Sequence, residues 1–141
     1  MSDGHELIKY QLDEHHCFWE LKSSSREQSE LQKAMNDPHL SESCHKLFLQ
    51  ISKILDHGIP ASCRTNKLRC LDPATGLYEV KGFDGTAREM AYIVCNDQAQ
   101  IVLLRYFKGH QGSGNIHKEI KLANKLALKA SSQLKRLDIA E

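Results

Sequence analysis

Residues 77–108, LYEVKGFDGTAREMAYIVCNDQAQIVLLRYFK, constrain the fold more than any other part of the chain. LYEVKGF alternates in polarity, and the two segments that follow, AREMAYIVC and QIVLLRYFK, are rich in apolar, β-branched and aromatic residues. Asp84-Gly85 favours a tight hairpin turn, and NDQ separates the second segment from the third. The stretch therefore predicts three sequential antiparallel strands, a β-meander.

Helical patterns flank this strand region. SSSREQSELQKAMND begins with serines that can cap a helix and stops before Pro38, and LSESCHKLFLQISKILDHGIP, with Ser41 or Ser43 as N-cap, stops at Gly58 and Pro60. These two segments predict a helical hairpin. TNKLRCL predicts a short strand, and a last helix starts near residue 115 after a glycine-rich loop. In the first 40 residues, ELIKYQLD and CFWELK predict one or two edge strands.

This order of elements predicts a single α+β domain over residues 1–141, in which an N-terminal helical hairpin packs on a small antiparallel meander sheet and a C-terminal helix follows. The longest apolar run, IVLL, is far too short to cross a bilayer, and the N-terminus shows no secretory signal. Five cysteines at irregular spacing suit a reducing compartment. We therefore expect a cytoplasmic protein with no membrane partner.

The net charge of +1 conceals a strong asymmetry along the chain. Residues 1–63 carry six Lys and Arg against ten Asp and Glu, a net −4, whereas residues 64–136 carry thirteen against six, a net +7. This division is typical of a chain whose second half meets an anionic partner. A C-terminal helix that merely presents lysines to water explains the same numbers equally well.

The cluster HHC at residues 15–17 is the one group with metal-ligating side chains at short spacing. A zinc site needs three or four ligands, and nothing nearby repeats with ligand spacing. We therefore expect these residues to be ordinary loop or strand residues, with no metal or other cofactor.

Residues 45–130 resemble the RelE/HigB superfamily of toxins from type II toxin–antitoxin modules, and within it the phage-derived HigB-like branch. The resemblance is carried by a helix ending at Gly58, a short basic strand, LYEVKGFDGTAREMAYIV, IVLLRYFK and a polar helix rich in Lys, Glu and Ala. Residues 1–40 match less clearly. The resemblance implies a RelE-like fold and a ribosome-dependent mRNA endonuclease that enters the A site and inhibits translation. It also implies a cognate antitoxin, commonly a HigA-like helix-turn-helix protein.

Metal-free RNA cleavage requires a 2′-oxygen to attack the adjacent phosphate, so proton transfer and stabilisation of the charged phosphorane are both needed. Arg and Lys suit the second task because they bind phosphate oxygens directly. The resemblance points to four catalytic candidates: Lys81, Arg88, Lys108 and His110. Three further cations are candidates for RNA binding without chemistry: Lys67, Arg69 and Arg105.

One departure from the family pattern concerns the end of the last strand. Relatives often carry a second basic residue directly after the position of Lys108, where this chain has Gly109. His110 can substitute as a general acid or base, because imidazole titrates near neutrality, or it can be a polar loop residue. The missing cation favours an alternative in which the protein is non-catalytic and docks on a protein target, as ParE-type toxins do, or only on its antitoxin. An unrelated nucleic-acid-binding regulator is a third reading.

Strand parity predicts which cations share a face. Glu79 and Lys81 share a charged face, which we expect to be exposed, opposite Tyr78 and Val80. Arg105 has the parity of its apolar neighbours on the last strand, so a β-bulge or strand end near residue 105 is needed to turn it toward the same side as the other cations.

Overall fold

The computed structural model describes residues 4–80, 89–96, 100–108 and 116–140, within which the chain forms six strands and four helices. The strands are β1 (His5–Gln11), β2 (Cys17–Ser23), β3 (Leu68–Asp72), β4 (Leu77–Val80), β5 (Glu89–Cys95) and β6 (Ile101–Lys108). The helices are α1 (Glu30–Met35), α2 (Ser41–His57), α3 (Ile59–Arg64) and α4 (Ile116–Ala140). No described helix is long and apolar enough to span a bilayer.

All six strands join one mixed sheet in the order β1-β2-β6-β5-β4-β3. Neighbours are antiparallel except β2 and β6, which run parallel and pair Trp19 with Val102 and Glu20 with Leu103. The predicted α+β, RelE-like arrangement, an N-terminal helical hairpin on a small antiparallel meander, is therefore wrong. Instead, β1 and β2 form a β-hairpin that precedes the helices, and β2 joins the sheet beside β6. This pairing joins segments about 80 residues apart, so no local sequence pattern indicates it.

Helices cover both faces of the sheet. On the first face, α2 packs three large side chains against the sheet: Leu47, Ile51 and Ile54. Helix α1 packs in the same cluster, and α3 contacts β3. On the second face, α4 packs mainly small residues, Ala123, Ala127 and Ala130, together with Leu134. The core is thus divided into two apolar clusters, one on each side of the sheet.

The helix boundaries follow local chemistry, with three differences from the sequence prediction. Ser29 caps α1 through a reciprocal capping box with Gln32, so α1 begins later than its serine run suggests. α2 has no side-chain cap at its start, contrary to the predicted Ser41 or Ser43, and it ends as predicted at Gly58, whose φ is 87°. Pro60 does not end the helical region but opens α3, because proline fits the first helical turn.

Candidate nucleic-acid interface

A row of polar and charged residues crosses four strands on the second face. Arg69 of β3 pairs with Glu79 of β4, Glu79 pairs with Tyr92 of β5, and Tyr92 pairs with Arg105 of β6. Because directly opposed residues point to the same side of a sheet, all four side chains belong to one face. We call this set, Arg69, Glu79, Tyr92 and Arg105, the charged row.

A β-bulge places Arg105 in this row. Tyr92 pairs with Arg105 while the next residue, Ile93, pairs with Leu103, so Leu104 is an extra residue on β6. One extra residue reverses the alternation of side chains beyond it. The bulge that strand parity required near residue 105 is therefore confirmed, and it turns Arg105 away from the first face.

Arg105 forms an ion-pair network that joins three elements. Its Nη1 donates to Glu30 Oε2 of α1 at 3.0 Å, and its Nε and Nη2 donate to Oε2 and Oε1 of Glu119 of α4 at 3.1 and 3.3 Å. The contact with Glu119 is a two-pronged guanidinium–carboxylate pair, which fixes orientation as well as distance. The Arg105 side chain is 21% exposed. The structure thus gives this predicted RNA-binding cation strong carboxylate partners within the protein.

Burial shapes the protonation of the groups around Arg105. Burial raises the pKa of Glu30, and the Arg105 guanidinium opposes this effect. Burial also raises the pKa of Tyr92, which is 1% exposed, and the charge of Glu79 raises it further. Tyr92 therefore remains a neutral phenol at physiological pH, and it is not suited to act as a base.

Arg69 and Glu79 occupy the outer end of the charged row. Arg69 Nη1 lies 3.9 Å from Glu79 Oε1, and the Arg69 side chain remains 59% exposed. Glu79 is 8% exposed, so the prediction that its face of β4 is exposed is wrong at this residue. Arg69 can present its remaining N–H groups to a ligand at the surface while Glu79 holds its position.

One end of the sheet gathers the positions of the remaining cations. Leu68 pairs with Val80 and Glu89 pairs with Lys108, so β3 and β5 begin where β4 and β6 end. Lys67 directly precedes β3, and Lys108 is the last residue of β6. We call this end of the sheet the basic edge. It is marked by Lys67, the end of β4, the start of β5 and Lys108.

Three of the predicted catalytic residues, Lys81, Arg88 and His110, lie outside the described residues. In the chain, Lys81 is the next residue after Val80, and Arg88 is the residue before Glu89. Lys108 occupies its register position at the basic edge opposite Glu89.

A cavity of about 310 Å³ lies among β2, α1, β6 and α4, and sequence reasoning missed one of its lining residues, the buried acid Glu20. This buried carboxylate accepts hydrogen bonds from Tyr10 Oη at 2.7 Å, Ser29 Oγ at 2.5 Å and the Leu31 N–H at 3.1 Å. Burial raises the pKa of Glu20, and the bonds from Ser29 and Tyr10 oppose that effect. The sequence signal that could have found Glu20 is alternation: in CFWELK it lies two residues after Phe18, so the two side chains share one face of the strand.

The other buried charge beside this cavity is also paired within the protein. Lys22 Nζ lies 2.8 Å from Glu6 Oε1, across the β1–β2 pair. With Glu20 bonded to α1 and Arg105 bonded to two glutamates, the buried and half-buried charges of Glu20, Lys22 and Arg105 tie elements of the protein together.

The HHC cluster supports the β1–β2 turn. His16 Nδ1 lies 2.9 Å from Asp13 Oδ2, and its Nε2 lies 3.1 Å from Asp56 Oδ1 of α2. The bond to Asp13 raises the pKa of His16, and the same bond lowers the pKa of Asp13 to about 2. Among the residues that the structure describes, no group of three or more His, Cys, Asp and Glu side chains is placed to hold a metal ion.

No protein-family model, curated protein or solved structure matches the chain.

Proposed function

We propose that this chain is a RelE/HigB-type toxin of a type II toxin–antitoxin module and acts in the cytoplasm as a metal-independent, ribosome-dependent mRNA endonuclease. The observation that carries the proposal is the basic edge. The register of β3 to β6 brings Lys67, the end of β4, the start of β5 and Lys108 to one end of the sheet. In the sequence, Lys81 directly follows β4 and Arg88 directly precedes β5. The resemblance of residues 45–130 to these toxins supports the same activity.

In the proposed reaction, the 2′-oxygen attacks the adjacent phosphate and the 5′-oxygen leaves. Arg88, Lys81 and Lys108 would stabilise the charge on the phosphorane oxygens, because fixed cations are strong electrostatic catalysts at such a centre. His110 would exchange the proton with an attacking or leaving oxygen. Lys67 and Arg69 would hold neighbouring phosphates and contribute affinity that depends on salt.

The charged row has a supporting role in this proposal. Arg105, through Glu119, fixes the first turn of α4 next to β6, and through Glu30 it fixes α1 on the other side. This network keeps the strand end that carries Lys108 in place relative to both helices. The net +7 of residues 64–136 would draw the protein to ribosomal and messenger RNA. The proposed partner is a cognate helix-turn-helix antitoxin.

A second candidate function, docking on a protein target without catalysis, is favoured by the charge balance of the described site. Two arginines of the charged row, Arg69 and Arg105, face three carboxylates, Glu30, Glu79 and Glu119. These five side chains alone carry a net negative charge, so they do not form a phosphate site. A docking toxin needs no convergence of cations.

Primer extension on a defined mRNA distinguishes the two functions. The mRNA is incubated with the protein in a purified translation system and, separately, without ribosomes. We expect cuts only in the translated sample, their loss with Arg88→Ala, and their retention with Lys125→Ala, which removes one exposed cation from α4. Growth arrest in cells with no cuts in either sample would contradict the nuclease and support docking. Full cutting by a folded Arg88→Ala variant would remove Arg88 from the mechanism.

A further inference from the structure

Three thiols lie on the first face of the sheet beneath α3. Cys70 of β3 pairs with Tyr78 of β4, Tyr78 pairs with Ile93 of β5, and Cys95 follows Ile93 by two residues, so register and alternation place Cys70 and Cys95 on one side. Cys63 of α3, Tyr78 and Cys95 pack against the first-face core. We call Cys63, Cys70 and Cys95 the thiol cluster.

A tight turn joins α3, which carries Cys63, to β3, which carries Cys70, and the two elements are in contact. Asn66 has φ of 62°, the Lys67 N–H donates to the Ser62 carbonyl at 2.9 Å, and the Asn66 N–H donates to the Cys63 carbonyl at 3.3 Å. This pair of bonds with a left-handed residue is a Schellman motif, which reverses the chain at once. Only two residues, Asn66 and Lys67, separate the C-cap of α3 from β3, and the middle of β3 carries Cys70 seven residues after Cys63.

The electrostatics of the cluster agree with this proximity. Burial raises the pKa of Cys63, and a charge on Cys70 raises it further. Burial raises the pKa of Cys95 to about 12, with a smaller contribution from Cys63. Burial raises the pKa of Tyr78, and charge on each of the three thiols raises it further. Cys63 is thus the thiol that interacts with both others.

We propose that Cys63 and Cys70 form a reversible intramolecular disulfide when the protein meets a peroxide. Cys70 is exposed, whereas Cys63 and Cys95 are half-buried, so the oxidant reaches Cys70 first. Cys95 stays protonated in its apolar surroundings and does not compete as a nucleophile.

The chemistry balances in two steps. The Cys70 sulfur attacks one peroxide oxygen, the O–O bond breaks, and a sulfenic acid and one water result. The Cys63 sulfur then attacks the Cys70 sulfur, the S–O bond breaks, and a second water leaves with the Cys63 proton. Overall, two thiols lose two electrons and two protons to hydrogen peroxide, and a dithiol reductant reverses the bond.

The bridge would enclose residues 64–69, which contain the three cations Arg64, Lys67 and Arg69. Lys67 belongs to the basic edge and Arg69 to the charged row, so oxidation would fix the segment that joins these two regions. The Cys63–Cys70 disulfide is detected directly by mass spectrometry, so its test does not depend on the proposed nuclease activity.

The test treats the purified full chain with hydrogen peroxide, alkylates the remaining thiols and digests with trypsin without reduction. We expect the intact mass to fall by two hydrogen atoms and residues 54–64 to be recovered linked to residues 70–81. A dithiol should reverse both changes, and bridging should accelerate as pH rises and Cys63 deprotonates.

Matched variants distinguish a Cys63–Cys70 disulfide from a Cys63–Cys95 disulfide. Cys70→Ser changes an exposed side chain and should abolish the linked peptide, whereas Cys95→Ser should retain it; circular dichroism checks that each variant is folded. A bridge that joins Cys63 to residues 89–105, which contain Cys95, would overturn the assignment. Oxidation of Cys70 to higher acids with no linked peptide would also overturn it.

Discussion

The two faces of the sheet are packed by different means. On the first face, α2 inserts large side chains, Leu47, Ile51 and Ile54, and the apolar cluster continues across β3, β4, β5 and β6. On the second face, α4 lies on the sheet through three alanines, Ala123, Ala127 and Ala130, and the apolar surface gives way to the charged row. The first face is suited to stability, and the second places charge beside the end of the sheet where the proposed RNA contacts lie.

The largest effect is expected from truncating the first-face core. Leu47 is fully buried, so Leu47→Ala removes buried contacts and leaves a cavity, which should lower the free energy of unfolding by about 2–5 kcal/mol. Urea denaturation measures this change. Leu49→Ala, on the exposed side of the same helix, is the control and should have little effect. An equal loss in both variants would contradict the division between the two sides of α2.

Enlarging the second-face core should break the packing of α4. Ala127 is fully buried between the helix and the sheet, so Ala127→Leu has no space for its side chain and should cost about 1–3 kcal/mol of stability. Leu128→Ala, the adjacent and exposed position, is the matched control. A stable Ala127→Leu protein, measured by thermal unfolding, would show that α4 is not held against the sheet by close backbone approach.

Removing the guanidinium of Arg105 should have an effect of similar size. Arg105→Ala leaves Glu30 and Glu119 partly buried without their cation, and we expect a loss of about 1–3 kcal/mol in the free energy of unfolding. Arg105→Lys should recover part of this loss, since an ammonium keeps the charge but not the paired N–H groups. If Arg105→Ala unfolds at the same urea concentration as the wild type, the network does not tie α4 to the sheet.

The smallest effect concerns Glu20, the buried acid of the first face. Because burial raises its pKa in the folded state, the folded protein holds this proton more tightly than the unfolded chain does. The resulting contribution to stability is present at low pH and is lost as pH rises through the folded-state pKa. Glu20→Gln cannot ionise, so wild type should lose stability relative to this variant as pH rises from the ordinary pKa of a glutamate through the raised folded-state pKa of Glu20. A difference that is constant with pH would contradict this ionisation.

The strands of the second half of the chain were predictable because their signals are local. Alternation in LYEVKGF, turn residues after Asp72 and at Asn96, and the parity of IVLLRYFK are all contained in short windows. Parity alone left Arg105 on the face of its apolar neighbours. A bulge or strand end was needed only if Arg105 was to share the side of the other cations, and a bulge is present at Leu104. Helix α4 was predicted to start near residue 115, and it begins at Ile116.

The rest depended on contacts between distant residues. Nothing in CFWELK indicates that it lies parallel to β6, and Glu30 reaches Arg105 from a different part of the chain. Pro60 was taken as a stop because proline ends many helices, whereas here it opens α3 directly after Gly58. ELIKYQLD and CFWELK were predicted to form one or two edge strands. This is confirmed for β1, which lies at the edge and pairs with β2 over its whole length, whereas β2 is an interior strand.

The most direct test of the proposed interface is the salt dependence of RNA binding by the full chain. The double variant Lys67→Ala/Lys108→Ala removes two cations from the basic edge, and Lys125→Ala/Lys135→Ala removes two from the exposed side of α4. Each phosphate contact with single-stranded RNA contributes about 0.7 to the slope of log affinity against log salt concentration. We therefore expect the magnitude of this slope to decrease by about 1.4 for the edge variant, which loses two contacts, and to stay unchanged for the helix variant. Equal slopes in the two variants would contradict an RNA interface at the basic edge.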